Sequence, residues 1–141
     1  MAVGRENIEL VLRGYRAFVA GDMTALSSLL DPDVEWYGID RGAWDCADRE
    51  NVLAVLAERF AEGYRIELQD CVAVGDQVVV NFRASGTEKV DDDVNPLRTR
   101  RFYTVGYYSG VVTIRDGRVV QVQDFPDKSA ALEAVGLTTD H

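Results

Sequence analysis

The stretch Val111-Val-Thr-Ile-Arg-Asp-Gly-Arg-Val-Val-Gln-Val-Gln-Asp-Phe125 decides the fold class of this chain. Two runs of strand length flank Asp116-Gly117. Asp-Gly between such runs marks a two-residue hairpin turn, because both central residues of that turn need positive φ. The pattern predicts strands over residues 111–115 and 118–125. On the second strand Val120, Val122 and Asp124 share one face, and Gln121, Gln123 and Phe125 share the other. With the valines turned inward, Asp124 is a carboxylate on an apolar face. Such surroundings raise a carboxyl pKa and suit it to proton transfer. The alternative is a strand-end aspartate that pairs with an arginine or caps the following segment.

The same period of two runs upstream. Tyr64, Ile66 and Leu68 alternate with Arg65, Glu67 and Gln69, and residues 72–74 continue the strand. Gly75-Asp76 makes a turn and residues 77–85 return, with Val79, Asn81, Arg83 and Ser85 against Val78, Val80, Phe82 and Ala84. That polar face reads as a solvated or dimer-facing surface. A polar stretch over 86–96 separates this hairpin from a strand over 98–108, and Ser109-Gly110 precedes the next one.

Nearer the N-terminus the period lengthens to that of a helix. Ile8, Val11, Leu12, Tyr15, Phe18 and Val19 form one face, and Gly21 stands where a helix stops. Asp22 caps a second short helix reaching Leu30, and Asp31-Pro32 breaks it. Val34 and Trp36 share a face of a strand over 34–38, and a loop with Gly42, Trp44 and Cys46 follows. A third helix starts near Asp48 and ends at Gly63. Residues 127–135 read as a short terminal helix. Helices first and an antiparallel meander afterwards define an α+β fold with its helices on one side of the sheet. No repeat or linker divides residues 1–141, so one domain is expected, with a cavity where the helices only partly fill the sheet's concave side.

Composition removes several functions. Against 24 acidic residues stand 15 basic ones, a net charge of −9, whereas a nucleic-acid binder needs a basic footprint. The basic group Arg98, Arg100 and Arg101 is small, and Asp91, Asp92 and Asp93 lie just upstream. No apolar run has the length of a membrane span and the first residues do not resemble a signal peptide, so a cytoplasmic protein is expected. Cys46 and Cys71 form no CxxC and read as reduced packing residues, with a disulfide as the lesser option. The single histidine is the last residue, His141, which leaves no Ser-His-Asp triad, Cys-His pair or histidine zinc site. Acid–base work falls to carboxylates, tyrosines, lysines or water.

Three strings carry a resemblance: Tyr15-Arg-Ala-Phe-Val-Ala-Gly-Asp22, Leu29-Leu-Asp-Pro-Asp-Val-Glu-Trp36, and Ile114-Arg-Asp-Gly-Arg-Val-Val-Gln-Val-Gln-Asp-Phe125. Together with the order of elements they resemble the nuclear-transport-factor-2-like superfamily, and within it the SnoaL-like branch. The resemblance covers nearly the whole chain. It implies a cone-shaped domain whose curved, mostly antiparallel sheet wraps around three N-terminal helices and an internal pocket. It also implies a homodimer formed through the sheet, and no metal or organic cofactor. The superfamily hosts isomerases, epoxide hydrolases, polyketide cyclases and non-catalytic binding modules, so the resemblance is specific for fold and not for reaction.

Motif by motif, the resemblance narrows the chemistry. Ketosteroid isomerases use a tyrosine on the first helix and two aspartates on strands; the matching positions here are Gly14, Gly38 and Gly110. Tyr15 lies one residue from the first and Asp40 two from the second. Limonene-type epoxide hydrolases carry a Trp-Arg-Asp-Tyr-Phe-Asp string that matches Val122-Gln-Asp-Phe-Pro-Asp127 and puts Asp124 on a catalytic aspartate. Their arginine matches Arg83, but Ser85 stands where their second aspartate would be. Trp36 and Gly38 fall on their water-holding tyrosine and asparagine. The resemblance therefore implies Asp124 and Arg83 as the catalytic pair, and a lining of Tyr15, Phe18, Trp36, Asp40, Asn81, Ser85, Tyr103 and Val122. The ligand it implies is a small hydrophobic metabolite, acted on by isomerisation, cyclisation or hydration, or simply held.

Overall fold

Short-range chemistry sets most element ends. In a computed structural model of the chain, three aspartates each accept a hydrogen bond from the backbone N–H three residues on: Asp22 from Ala25 (3.0 Å), Asp48 from Asn51 (2.8 Å) and Asp127 from Ala130 (2.8 Å). Each satisfies a first-turn donor and starts a helix. The structure describes residues 2–38, 45–91 and 99–137, with side chains described for 4–38, 45–85 and 106–137. In chain order the elements are α1 (Ala2–Ala20), α2 (Met23–Leu29), β1 (Leu30–Tyr37), α3 (Arg49–Ala61), β2 (Arg65–Val74), β3 (Gln77–Asp91), β4 (Thr99–Arg115), β5 (Arg118–Phe125) and α4 (Lys128–Ala134).

The five strands form one open sheet in the order β1-β5-β4-β3-β2. Three ladders are antiparallel. The fourth, β1 with β5, is parallel, with Trp36 opposite Val122. The α+β class stands, with a mixed sheet. α2 ends at Leu29, ahead of Asp31-Pro32 as expected, and β1 follows directly, so that pair lies inside the strand. β1 is an edge strand and its register shifts between Leu30 and Glu35, a setting that tolerates proline's missing N–H. β3 and β4 run past their expected ends: Gly86 to Asp91 pair with Thr104 to Thr99 in the ladder, and Ser109-Gly110 lies within β4. Backbone pairing satisfies those groups whatever the polarity of the side chains.

Helices α1 and α3 cover one face, here called inner. Leu10, Val11 and Val52 pack there against Val34, Val78, Val80, Ile114 and Val122. The expectation that all helices share one side is corrected by α4, whose Ala131 and Leu132 cover Val79 and Val111 on the outer face. Val79 is fully buried there, and burying a valine side chain is worth roughly 1.5–3 kcal/mol, enough to give that face a helix of its own. β5 departs from strict alternation as well. Thr113 pairs with Gln121 but Ile114 with Val119, so Val120 is an extra residue, and Val119 joins Val122 in the inner core. The two cysteines form no disulfide, and Cys46 is buried in that core with its backbone bonded to Trp36 at 2.8 and 2.9 Å. Among the described residues no helix is long and apolar enough to cross a membrane.

Candidate active site

Val80, Gly110 and Asp124 stand opposite one another across β3, β4 and β5. Val80 belongs to the inner core, so Asp124 points to that side too. Gly110 stands close beside it: a Cβ there would lie 3.4 Å from Asp124 Oδ1. The parallel β1–β5 pairing brings Trp36 alongside, and its Nε1–H donates to Asp124 Oδ2 at 3.0 Å. Oδ1 accepts no hydrogen bond from the described residues.

One pair further along the strands Phe82 faces Tyr108, which puts Tyr108 diagonally across from Asp124 on the same face. The two rings stack at 5.3 Å. Tyr64, just ahead of β2, donates to Tyr108 Oη at 3.4 Å. Phe18 of α1 meets Tyr64 edge-on at 6.4 Å and Phe60 of α3 at 6.0 Å. The carboxylate thus lies on an apolar, largely aromatic surface.

That setting governs its ionisation. Burial lifts the Asp124 pKa from 3.8 to about 6, and the Trp36 hydrogen bond opposes the rise. Among the described residues no cation forms an ion pair with it. Burial also raises both phenols, Tyr108 well above its ordinary value, and the Asp124 charge adds to each rise. Near neutrality the phenols are donors and Asp124 is ready to exchange a proton.

Several residues singled out from sequence fall elsewhere. Arg83 is exposed on the outer face, in register with Glu67 and Tyr107, so it forms no pair with Asp124. The phase of β3 is the reason: Val78, Val80 and Phe82 take the inner side and leave Asn81, Arg83 and Ser85 to the outer one. Asn81 bonds Asp70 and Ser109 there, and half-buried Ser85 stands opposite Arg65. Neither lines the inner site. Tyr15 is half-buried on α1 and outside both inner apolar clusters. Phe18, Trp36 and Val122 do lie on the inner side. Asp40 and the side chain of Tyr103 lie outside the described residues; the Tyr103 backbone pairs with Thr87. Sequence reasoning missed Tyr64, Tyr108 and the closeness of Gly110 to Asp124. The phase of Tyr64 with Ile66 and Leu68 was a usable signal, but choosing Tyr108 over Tyr107 requires the β3–β4 register.

The position that matches the second isomerase aspartate is Gly110, and here a carboxylate arrives beside it from the neighbouring strand. Comparison with known proteins agrees with the architecture. The uncharacterized protein Rv0034 of Mycobacterium tuberculosis is 27% identical over 142 residues, spanning 91% of this chain and 94% of that protein. Bal32a, from a soil-derived mobile gene cassette, superimposes with a TM-score of 0.73 at 22% identity, covering 94% of this chain and 98% of its own. A protein assigned as a SnoaL-like polyketide cyclase from Jannaschia sp. CCS1 gives 0.72 at 18% identity, covering 96% and 94%. At such identities the likeness to these structures is one of fold. The family model of the SnoaL-like domain matches residues 11–122, and the chain belongs to that family.

Proposed function

We propose that the chain takes a small hydrophobic metabolite into a pocket between the inner sheet face and helices α1 to α3, and that Asp124 moves a proton on it. The reaction class is an isomerisation, cyclisation or hydration; proton transfer of this kind asks for no metal or organic cofactor. One observation carries the reading: Asp124 is a carboxylate on an apolar aromatic face with one oxygen held by Trp36 and the other unoccupied by any described donor. A pKa of about 6 gives it both protonation states near neutral pH, as a general acid or base requires. Trp36 fixes the orientation of the carboxyl, and Gly110 places no side chain against Oδ1. Arg83, on the other face, takes no part.

Asp124→Asn is the direct test, with turnover measured on whichever cyclic or oxygenated metabolite a substrate screen identifies. Loss of a positioned general base costs about 10²–10⁴-fold in rate. Turnover that survives within a few-fold removes Asp124 from proton transfer. A second reading is a binding module of the same fold, favoured by glycines at positions 14, 38 and 110 and by Ser85 at the matched aspartate. Under it, native mass spectrometry of the purified protein would find a bound small molecule, and no screened compound would be turned over.

A further inference from the structure

Away from Asp124, α1 leaves a cavity of about 400 Å³ against the β2–β3 and β4–β5 turns. Ile114 on its floor stands four residues along β4 from Gly110, the partner of Asp124, and so roughly 14 Å from it. We propose that this cavity binds a linear aliphatic polyamine, its ammonium groups on Glu6, Glu9, Asp76 and Asp116 and its methylenes on Leu10 and Ile114. Those four exposed carboxylates line the cavity, and Arg13 is the one basic residue of the lining. Asp76 also meets Arg115 at 3.7 Å, but both side chains are more than half exposed, so that pair is weak. Among the described residues no three acidic side chains gather closely enough to hold one metal ion. The negative charge is spread along the cavity, which suits a cation whose own charges are spread along a chain.

Exposed carboxylates alone attract any cation weakly. Asn7 adds the specific element. It lies on α1 three residues before Leu10, lines the same cavity and is only 9% exposed. Its side-chain amide makes no hydrogen bond to a described residue. Among the described residues no fully buried polar side-chain atom lacks a partner, so the small accessible part of Asn7 includes its amide atoms. An amide stripped of most of its water without a partner is unfavourable. An ammonium N–H donating to its carbonyl oxygen supplies a charge-assisted bond there. Beside it Leu10 and Ile114, each 4% exposed, form an apolar floor, and the Ile114 N–H holds the β2–β3 turn through Asp76 O at 2.8 Å. A polyamine uses carboxylates, amide and floor together. A compact hydrated metal ion gains nothing from the floor, and a monoamine leaves most of the carboxylates unmet.

The test is calorimetric titration at low salt with 1,5-diaminopentane, 1-aminopentane and magnesium chloride. The unmodified protein is expected to bind the diamine about tenfold or more tightly than the monoamine, and more tightly than magnesium. Added salt should weaken that binding. Asn7→Leu is expected to lower diamine affinity about fivefold or more. The same variant should melt at the same temperature as the unmodified protein or higher, because it removes an unpartnered amide. A Glu9→Gln/Asp116→Asn double variant is expected to lose about tenfold. Glu50→Gln/Glu133→Gln removes the same charge from α3 and α4, outside the cavity lining, and should stay within about twofold. Equal losses in the two double variants, or magnesium bound as tightly as the diamine, mean that net charge alone attracts the cation and overturn the proposal. So do a diamine affinity unchanged by Asn7→Leu and an absence of binding at millimolar diamine.

Discussion

Ionising Asp124 works against the fold. Its pKa lies at about 6 in the folded chain and near 3.8 as an ordinary carboxyl, so between those pH values the folded state holds more protons than the unfolded one. Stability from this group is therefore fully present below pH 4, declines as pH rises to about 6, and stays reduced above it. The difference between the two protonation states amounts to roughly 3 kcal/mol at most. Asp124→Asn removes the charge but keeps an oxygen for the Trp36 N–H. Its melting temperature is expected to exceed that of the unmodified protein by several degrees at pH 8 and to match it near pH 4; an equal difference at both pH values refutes the buried-charge account. Trp36→Phe removes only the hydrogen bond that favours the ionised form, so the Asp124 pKa should climb further. Carboxyl-carbon NMR titration reads this directly, and a fall in the pKa contradicts it.

Glycines separate backbone cost from packing cost at the level of elements. Gly21 ends α1 at φ 71°, and a Cβ there would come within 2.8 Å of the Phe60 ring on α3. Gly117 in the β4–β5 turn has φ 73° with nothing within 4 Å of a Cβ. Gly117→Ala should cost about 1 kcal/mol through its backbone alone, whereas Gly21→Ala adds an overpacking cost of about 1–3 kcal/mol. Urea unfolding of both variants tests the gap; equal losses mean the Phe60 contact is not tight. Both glycines were legible in sequence, as were the Asp22 cap and the helix starts near Asp48 and Asp127, because helix stops, turns and caps are written in adjacent residues. The Trp36–Asp124 contact was not, since it joins residues 88 apart through a parallel pairing, and alternation names a face without naming its partner. Arg83 is instructive for the same reason. Its alternation pointed to the polar face, a distant resemblance pointed inward, and the structure follows the alternation, which spares the guanidinium the cost of burial in an apolar core.

The molecule as a whole uses its two sheet faces differently. The inner face carries Asp124, Trp36 and Tyr108, while α4 covers Val79 and Val111 of the outer one and is tied to β2 by Lys128 and Asp70 at 3.5 Å. Beyond that helix the outer surface leaves Tyr107 70% and Val72 45% exposed, flanking Arg83 and Asn81. A large aromatic and a valine standing in water on one sheet face, with polar residues between them, have the character of an association surface. We propose that a second copy seats there, which agrees with the homodimer that the family resemblance implies and gives Arg83 a role at an interface in place of the catalytic one. Light scattering coupled to gel filtration should then give about twice the 15.6 kDa chain mass, and Tyr107→Asp should halve it by placing a charge in a surface that must lose its water. Because that substitution lies on the face opposite Asp124, the pH dependence of stability in the resulting monomer should keep its decline between pH 4 and 6. A wild-type mass of one chain removes the dimer, and a pH profile flattened by Tyr107→Asp means the two faces are coupled.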